Sequence, residues 1–288
     1  MSAKFGPAGN SDAFSAVHKS SLAAPQWIAE QGLDCYEYQC GKGVHVGEDT
    51  ARRVGENARK HGISLSLHAP YFINLANPDP DSLQKTIGYI TSACLVASQM
   101  GASRVVIHSG ALMKRTRREA LDTALRSLRE VIRTCDGQGF GHIALCPETM
   151  GKINQLGDLE EVLELCTLDE RLIPCIDFGH LYARSLGADD GADAFGRMLD
   201  RVESVLGQSR ASVFHSHFSH IQFTPGGGEK CHRTFDDDDG YGPDWAPLAR
   251  AIARRGWSPT FICESAGTQA KDALTMKRIY QEVLTAQE

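Results

Sequence analysis

Apolar residues in this chain come in short, nearly unbroken runs, each followed by a stretch in which they recur every third or fourth position. The runs fall at 4–6, 34–39, 64–68, 104–108, 143–148, 173–177, 212–218 and 260–264. Val, Ile, Leu and Phe dominate them, and polar residues gather at their ends, the pattern of parallel strands buried on both faces. The intervening stretches predict helices. At 81–100, Leu83, Ile87, Ile90, Cys94 and Ala97 share a face and Gly101 follows; at 117–134, Leu121, Leu125, Leu128, Val131 and Ile132 do the same. A glycine just past the last periodic residue is a common helix stop. Further helices are predicted at 158–165, 192–206, 245–253 and 272–284.

Eight strands alternating with helices predict an α/β fold, and the count of eight favours a closed barrel over an open sheet. The expected architecture is a single (β/α)8 TIM barrel occupying residues 1–288 as one domain. No internal repeat or low-complexity linker divides the chain. Gly226-Gly227-Gly228 and the acidic run 236–239 are expected to belong to one long loop after the seventh strand. Loops of that length in a compact domain tend to carry function.

Composition narrows the picture. Hydrophobic residues make up 42% and charged residues 23%, enough apolar material for a large core. No apolar run approaches the ~20 residues that span a membrane, and the opening Met1-Ser2-Ala3-Lys4 does not resemble a secretory signal. The nine cysteines are scattered without CxxC pairs and fit buried reduced thiols, so a cytoplasmic protein is expected. The net charge of −6 argues against a basic groove along nucleic acid. It leaves room for a nucleic-acid enzyme whose bound metals supply the local positive charge. No protein partner is evident.

The strand ends carry the chemistry. They read His68-Ala69-Pro70-Tyr71, His108-Ser109-Gly110, Glu148-Thr149, Asp177-Phe178-Gly179-His180, His217 and Glu264-Ser265. Active sites of this fold are built at that face from the ends of several strands. Six ionisable groups in one barrel mouth would repel and desolvate one another unless cations neutralised them. Imidazoles with carboxylates and no thiolate suit Zn²⁺, with Mn²⁺ as the alternative. His215 and His217 share a strand face by period-two alternation. His217 lies nearer the mouth, His215 one layer deeper, and His220 beyond the strand as the weakest ligand of the three. Glu37 is a further residue that could support a ligand from behind. His18, His45, His61 and His142 lie in loops or before strands and carry no functional expectation.

From Ser64 to Glu264 the chain resembles the endonuclease IV family of apurinic/apyrimidinic endonucleases, through His68-Ala69-Pro70-Tyr71 with Ile73-Asn74-Leu75, His108-Ser109-Gly110, Glu148-Thr149, Ile176-Asp177-Phe178-Gly179-His180 and Glu264-Ser265. The resemblance implies a phosphodiesterase with two or three metals, usually zinc, acting on DNA at abasic sites. His68 and His108 would hold one metal and Glu148 would bridge to a second, which also takes Asp177, His217 and Glu264. His180 and His232 would hold a third, with an Asp two positions before the latter. Here the chain departs from the family, because Lys230 stands at that position, and a protonated ammonium cannot ligate a metal. The expectation is a lost or altered third site, with Glu229 by a register shift, one of the acidic residues at 236–239, or Cys231 as substitutes. Lys230 and Arg233 would then contact substrate phosphate. Lys114, Arg115, Arg117 and Arg118 could also touch phosphates, or simply form a solvated helix start.

Glu148, Glu264 and Tyr71 are the expected catalytic residues, Tyr71 by packing against a sugar or base. The competing expectation is a sugar isomerase or epimerase of the wider xylose isomerase-like superfamily, acting on a small sugar. It would use one metal on Glu148, Asp177, His217 and Glu264, with two carboxylates moving a proton beside a carbonyl. A binding protein that kept the barrel but lost the chemistry is a third expectation.

Overall fold

A computed structural model describes residues 2–286. Eight parallel strands form the barrel: β1 (Lys4–Pro7), β2 (Cys35–Gln39), β3 (Ser64–His68), β4 (Arg104–His108), β5 (Ala144–Glu148), β6 (Cys175–Asp177), β7 (His215–Phe218) and, past a hairpin, β10 (Thr260–Cys263). Each strand pairs with its neighbour in the order β1-β10-β7-β6-β5-β4-β3-β2. The remaining seam, between β1 and β2, is narrower. It is held by the Ala8–Glu37 bridge and by the Asp34 amide donating to the Phe5 carbonyl at 2.8 Å. Helices fill the connections, among them Glu48–His61, Pro80–Met100, Arg117–Gly137 and Gln269–Thr285. Among the described residues no helix is long and apolar enough to cross a membrane.

Alternation within the strands separates two interiors. Phe5, Tyr36, Leu65, Leu67, Val105, Ile107, Leu145, Ile176, Phe214, Phe218 and Phe261 belong to the large core shared with the helices. Their opposite-parity neighbours line the inside of the barrel. These include the small or apolar Ala8, Cys35, Val106, Cys146, Cys175 and Ile262, in two minor clusters, and the polar Glu37, Ser66, His68, Glu148, Asp177, His215 and His217. Barrel interiors are usually filled by Val, Ile and Leu; this one is filled mainly by small and ionisable side chains. The eight free cysteines with buried side chains, including Cys94 and Cys263, match the expectation of reduced core thiols.

Two expectations about elements are corrected. The seventh barrel strand begins at His215, not at 212, because the amides of Ser212 and Val213 close the turn that ends the short helix Gln208–Ala211. The stretch after it is not an open loop but an antiparallel hairpin of β8 (His220–Thr224) and β9 (Gly228–Arg233). The glycine run forms the turn of that hairpin, with Gly228 at φ +74°, where a side chain would be strained.

Closure at the seam depends on Gly6, since a Cβ there would sit 1.8 Å from the Cys35 carbonyl oxygen. Backbone, not a movable side chain, blocks that space. Gly6→Ala is expected to destabilise the protein by about 3 kcal/mol, the upper part of the range for overpacking. A urea titration followed by circular dichroism measures it; an unchanged midpoint would show that the seam can open without cost.

Candidate metal centre

Glu148, the last residue of β5, stands at the middle of the barrel mouth and is fully buried. Its two oxygens face different partners. Oε2 lies 3.3 Å from His68 Nε2 and 3.3 Å from His108 Nε2. Oε1 lies 2.9 Å from His217 Nδ1 and 3.6 Å from His180 Nδ1. Parallel register sets this up, because His108 is paired with Glu148 across β4–β5 and Asp177 with His217 across β6–β7. Glu264 follows β10 and comes within 3.5 Å of His217 Nδ1. Glu148, Asp177, His217 and Glu264 form one group of converging donor atoms, and His68, Glu148 and His217 another.

The Asp177–His180 spacing has a local cause. Asp177 caps the helix Phe178–Arg184, and its carboxylate accepts the His180 amide at 2.8 Å. Capping turns the chain and brings the side chain three residues on back over the mouth. The other Asp177 oxygen is buried and has no hydrogen-bond partner. His180 Nδ1 lies 3.2 Å away, but it also faces the Thr149 carbonyl at 2.8 Å.

The third group of converging donors is His180, Glu229 and His232. In a regular strand, residues 229 and 232 would face opposite sides. The β8–β9 register pairs Gln222 with Cys231 but Phe223 with Glu229, so Lys230 is an extra, bulged residue. A bulge of one residue restores a common face. Close approach then seats Glu229: the hairpin bridges to Lys152, and a Cβ on Gly151 would sit 2.7 Å from Glu229 Cβ. His180 Nε2 and the Glu229 carboxylate are 3.6 Å apart.

Each of the five imidazoles has one ring nitrogen held by a fixed partner, although that nitrogen of His180 also faces Asp177 and Glu148. His68 Nδ1 faces the Ala69 carbonyl, His108 Nδ1 the Tyr71 carbonyl, His180 Nδ1 the Thr149 carbonyl, His232 Nδ1 the Ser219 hydroxyl and His217 Nε2 the Glu37 carboxylate. Anchoring one nitrogen while presenting the other is how metal-binding histidines are oriented. Burial pushes the Glu148 carboxyl up, but His217, His108 and His68 outweigh it and hold it well below the usual carboxylate range. Burial opposes charge on His180, and Asp177, Glu229, Glu148 and Glu264 together raise it to about 9. His217 is likewise held well above the ordinary histidine value, against its burial, by the acidic groups around it. Asp177 is raised by burial despite the nearby His180. The carboxylates around His217 and His180 crowd negative charge into the mouth, which a divalent cation bound there would offset. Together with the orphaned Asp177 oxygen, this donor set fits Zn²⁺.

A cavity of about 670 Å³ opens above these groups, lined also by Asn10, Gln39, Tyr71, Lys152, Gln155 and Gln269. Only Tyr71 of these was singled out in the sequence; the neutral amides, Gln39 at the end of β2, Gln269 at a helix start and Asn10 and Gln155 in loops, follow no ligand spacing. The Tyr71 ring lies over His108, with centroids 5.6 Å apart, and is 52% exposed. Lys230 is exposed and does not line the cavity, and Arg233 is paired with Asp239 and Asp237. In the basic stretch after β4 the arginines have partners within the protein, in keeping with the alternative of a helix start. Arg115 binds the Ala76 carbonyl, Arg117 pairs with Glu161, and Arg118 with Asp122 and Glu164. Those guanidiniums hold the helix start Arg117–Gly137 to its neighbours. His220 stacks on Phe235 away from the centre.

The sequence profile of the family described as "Xylose isomerase-like TIM barrel" matches residues 25–282. An uncharacterised protein of Methanocaldococcus jannaschii is 30% identical over 256 residues, 89% of this chain and 90% of that one. A Bacillus licheniformis protein named "Probable endonuclease 4" is 31% identical over 206 residues, 67% of each chain. Its namesake from Acholeplasma laidlawii is 27% identical over 165 residues, so the match spans 54% of either chain. Among solved structures, a D-tagatose 3-epimerase-like protein superposes with a TM-score of 0.73 at 18% identity, covering 99% of both chains. Endonuclease IV from Thermus thermophilus superposes at 0.66 and 17%, covering 98% of this chain and 99% of that one. At such identities structural likeness speaks for the fold alone. The profile takes in every donor residue named above, and this chain belongs to the xylose isomerase-like TIM barrel family.

Proposed function

We propose that the protein is a zinc-dependent phosphodiesterase resembling endonuclease IV, which cleaves DNA at abasic sites in the cytoplasm. One observation carries the proposal: beyond the set Glu148, Asp177, His217 and Glu264, two further groups of donor atoms, one sharing Glu148 and one formed by His180, Glu229 and His232, lie at the same barrel mouth. A sugar epimerase needs only the set Glu148, Asp177, His217 and Glu264. The further residues His68, His108, His180, Glu229 and His232 have no role in such an enzyme, but they suit a centre of two or three metals. Bound there, Zn²⁺ would polarise a phosphoryl group and stabilise the leaving oxygen.

The chain's own residues do the positioning. Glu148 divides its two oxygens between the His68–His108 side and the His217–His180 side and so holds the two halves in register. Tyr71, 52% exposed in the cavity wall, offers flat apolar surface to a sugar or an unstacked base. Single bases stacked on such rings contribute about 1–3 kcal/mol. Few cations surround the cavity, Lys152 being the lone lysine or arginine of its lining. On this reading, most of the attraction for phosphate comes from the metals.

A second reading, a single-metal sugar epimerase, is favoured by the amides of Asn10, Gln39, Gln155 and Gln269 in the cavity wall, which suit sugar hydroxyls.

Zinc-loaded protein is expected to cut a duplex carrying a synthetic abasic site, and Glu148→Gln to lower that rate more than about 100-fold, beyond the effect usual for residues that only support a ligand. No cutting, together with epimerisation of a ketose, would establish the second reading. Elemental analysis provides an independent check. The wild type is expected to carry three metals per chain, and Glu229→Gln one fewer, with the remaining two retained. Equal metal content in both proteins would remove Glu229 from the centre.

A further inference from the structure

Below the mouth, a chain of hydrogen-bonded side chains runs down the barrel interior. Glu37 in β2 is its hub and is completely buried. Oε2 accepts from His215 Nε2 at 2.9 Å and from the Ser66 hydroxyl at 2.9 Å. Oε1 accepts from His217 Nε2 at 2.9 Å and from the Gln39 amide at 3.1 Å. A carboxylate offers about four acceptor positions, and here all of them are taken. On the far side, His215 Nδ1 faces Arg104 Nη1 at 3.5 Å, and Arg104 is anchored to the Val213 carbonyl at 2.8 Å. Arg104 and His215 line a small cavity at the opposite mouth of the barrel, formed by residues at the N-terminal ends of the strands.

The donor and acceptor roles along this chain are forced. Arginine only donates, so His215 Nδ1 must accept and its proton must sit on Nε2. Glu37 only accepts when ionised, so His217 must also keep its proton on Nε2. The one nitrogen of His217 left to give up a proton is Nδ1, the atom facing Glu148 and Glu264. We propose that Glu37, backed by His215 and Arg104, is a positioning residue that locks the His217 proton on Nε2 and so commits Nδ1 to the metal. This rests on the metal centre proposed above. It also extends that centre to a residue at the far mouth of the barrel, which touches neither metal nor substrate.

Glu37→Gln keeps the shape but turns two of the four acceptor positions into donors. An amide N–H facing His217 Nε2 favours the tautomer with the proton on Nδ1, the wrong one for binding. Zinc affinity, measured by competition with a chelator, is expected to fall roughly 10–100-fold, the usual effect of losing such a partner, with the circular dichroism spectrum unchanged. Arg104→Met is expected to shift affinity several-fold in the same direction. Imidazole ¹⁵N spectra supply a readout that packing alone would not move: His217 Nε2 should carry a proton in the wild type and lose it in Glu37→Gln. Wild-type zinc affinity in Glu37→Gln, or a wild-type His217 without a proton on Nε2, overturns the inference. Should Glu37→Gln fail to fold, unchanged affinity in Arg104→Met overturns it instead. A wild type that takes up no metal would sink the metal centre, while the Nε2 proton would still decide the present inference.

Discussion

A fully buried carboxylate surrounded by imidazoles is the constraint on which this structure turns. Glu148 is almost wholly buried at the floor of the cavity, and an isolated charge there would cost several kcal/mol. It is stable only because each oxygen meets histidines from other strands, His68 and His108 on one side and His217 and His180 on the other. Those histidines are in turn fixed by backbone carbonyls and by Glu37. Removing any one partner weakens the compensation of a buried charge that the others share, so the mouth behaves as one electrostatic unit rather than a set of independent ligands.

That unit needs a scaffold whose stability comes from elsewhere. Alternation along the strands supplies it. The outward-facing residues pack against the helices in one large apolar core, which leaves the inward positions free for chemistry. Polar filling of a barrel interior would otherwise weaken the fold. Here the inward polar groups, one Asp177 oxygen apart, satisfy one another down to Ser66 and Arg104, so the cost is contained.

The same barrel carries different chemistries in different relatives, and function therefore has to be argued from the site. The hairpin of β8 and β9 adds to this mouth. It folds against the loop after β5 and brings a carboxylate and an imidazole, Glu229 and His232, to His180. The central set would serve either chemistry, and the donors on the hairpin and on the His68–His108 side are what the proposed multi-metal centre adds to it.

The sequence by itself determined the barrel, because eight apolar runs alternating with helical periodicity leave few other architectures. It also placed His68, His108, Glu148, Asp177, His180, His217 and Glu264 at strand ends, since such ends can be counted along a chain. It offered Glu229 only as one of several substitutes for the missing ligand beside His232, together with Cys231 and the acidic run 236–239. The hairpin was not legible, and the bulge at Lys230, a product of pairing with β8, is what puts Glu229 and His232 on one face. Nor could the sequence show that Arg115, Arg117 and Arg118 are occupied by partners within the protein, because those partners are up to 46 residues away in the chain. Periodicity is a local property and was legible. Register, pairing and the direction of each ring nitrogen depend on contacts between distant segments, and those the tertiary structure alone decided.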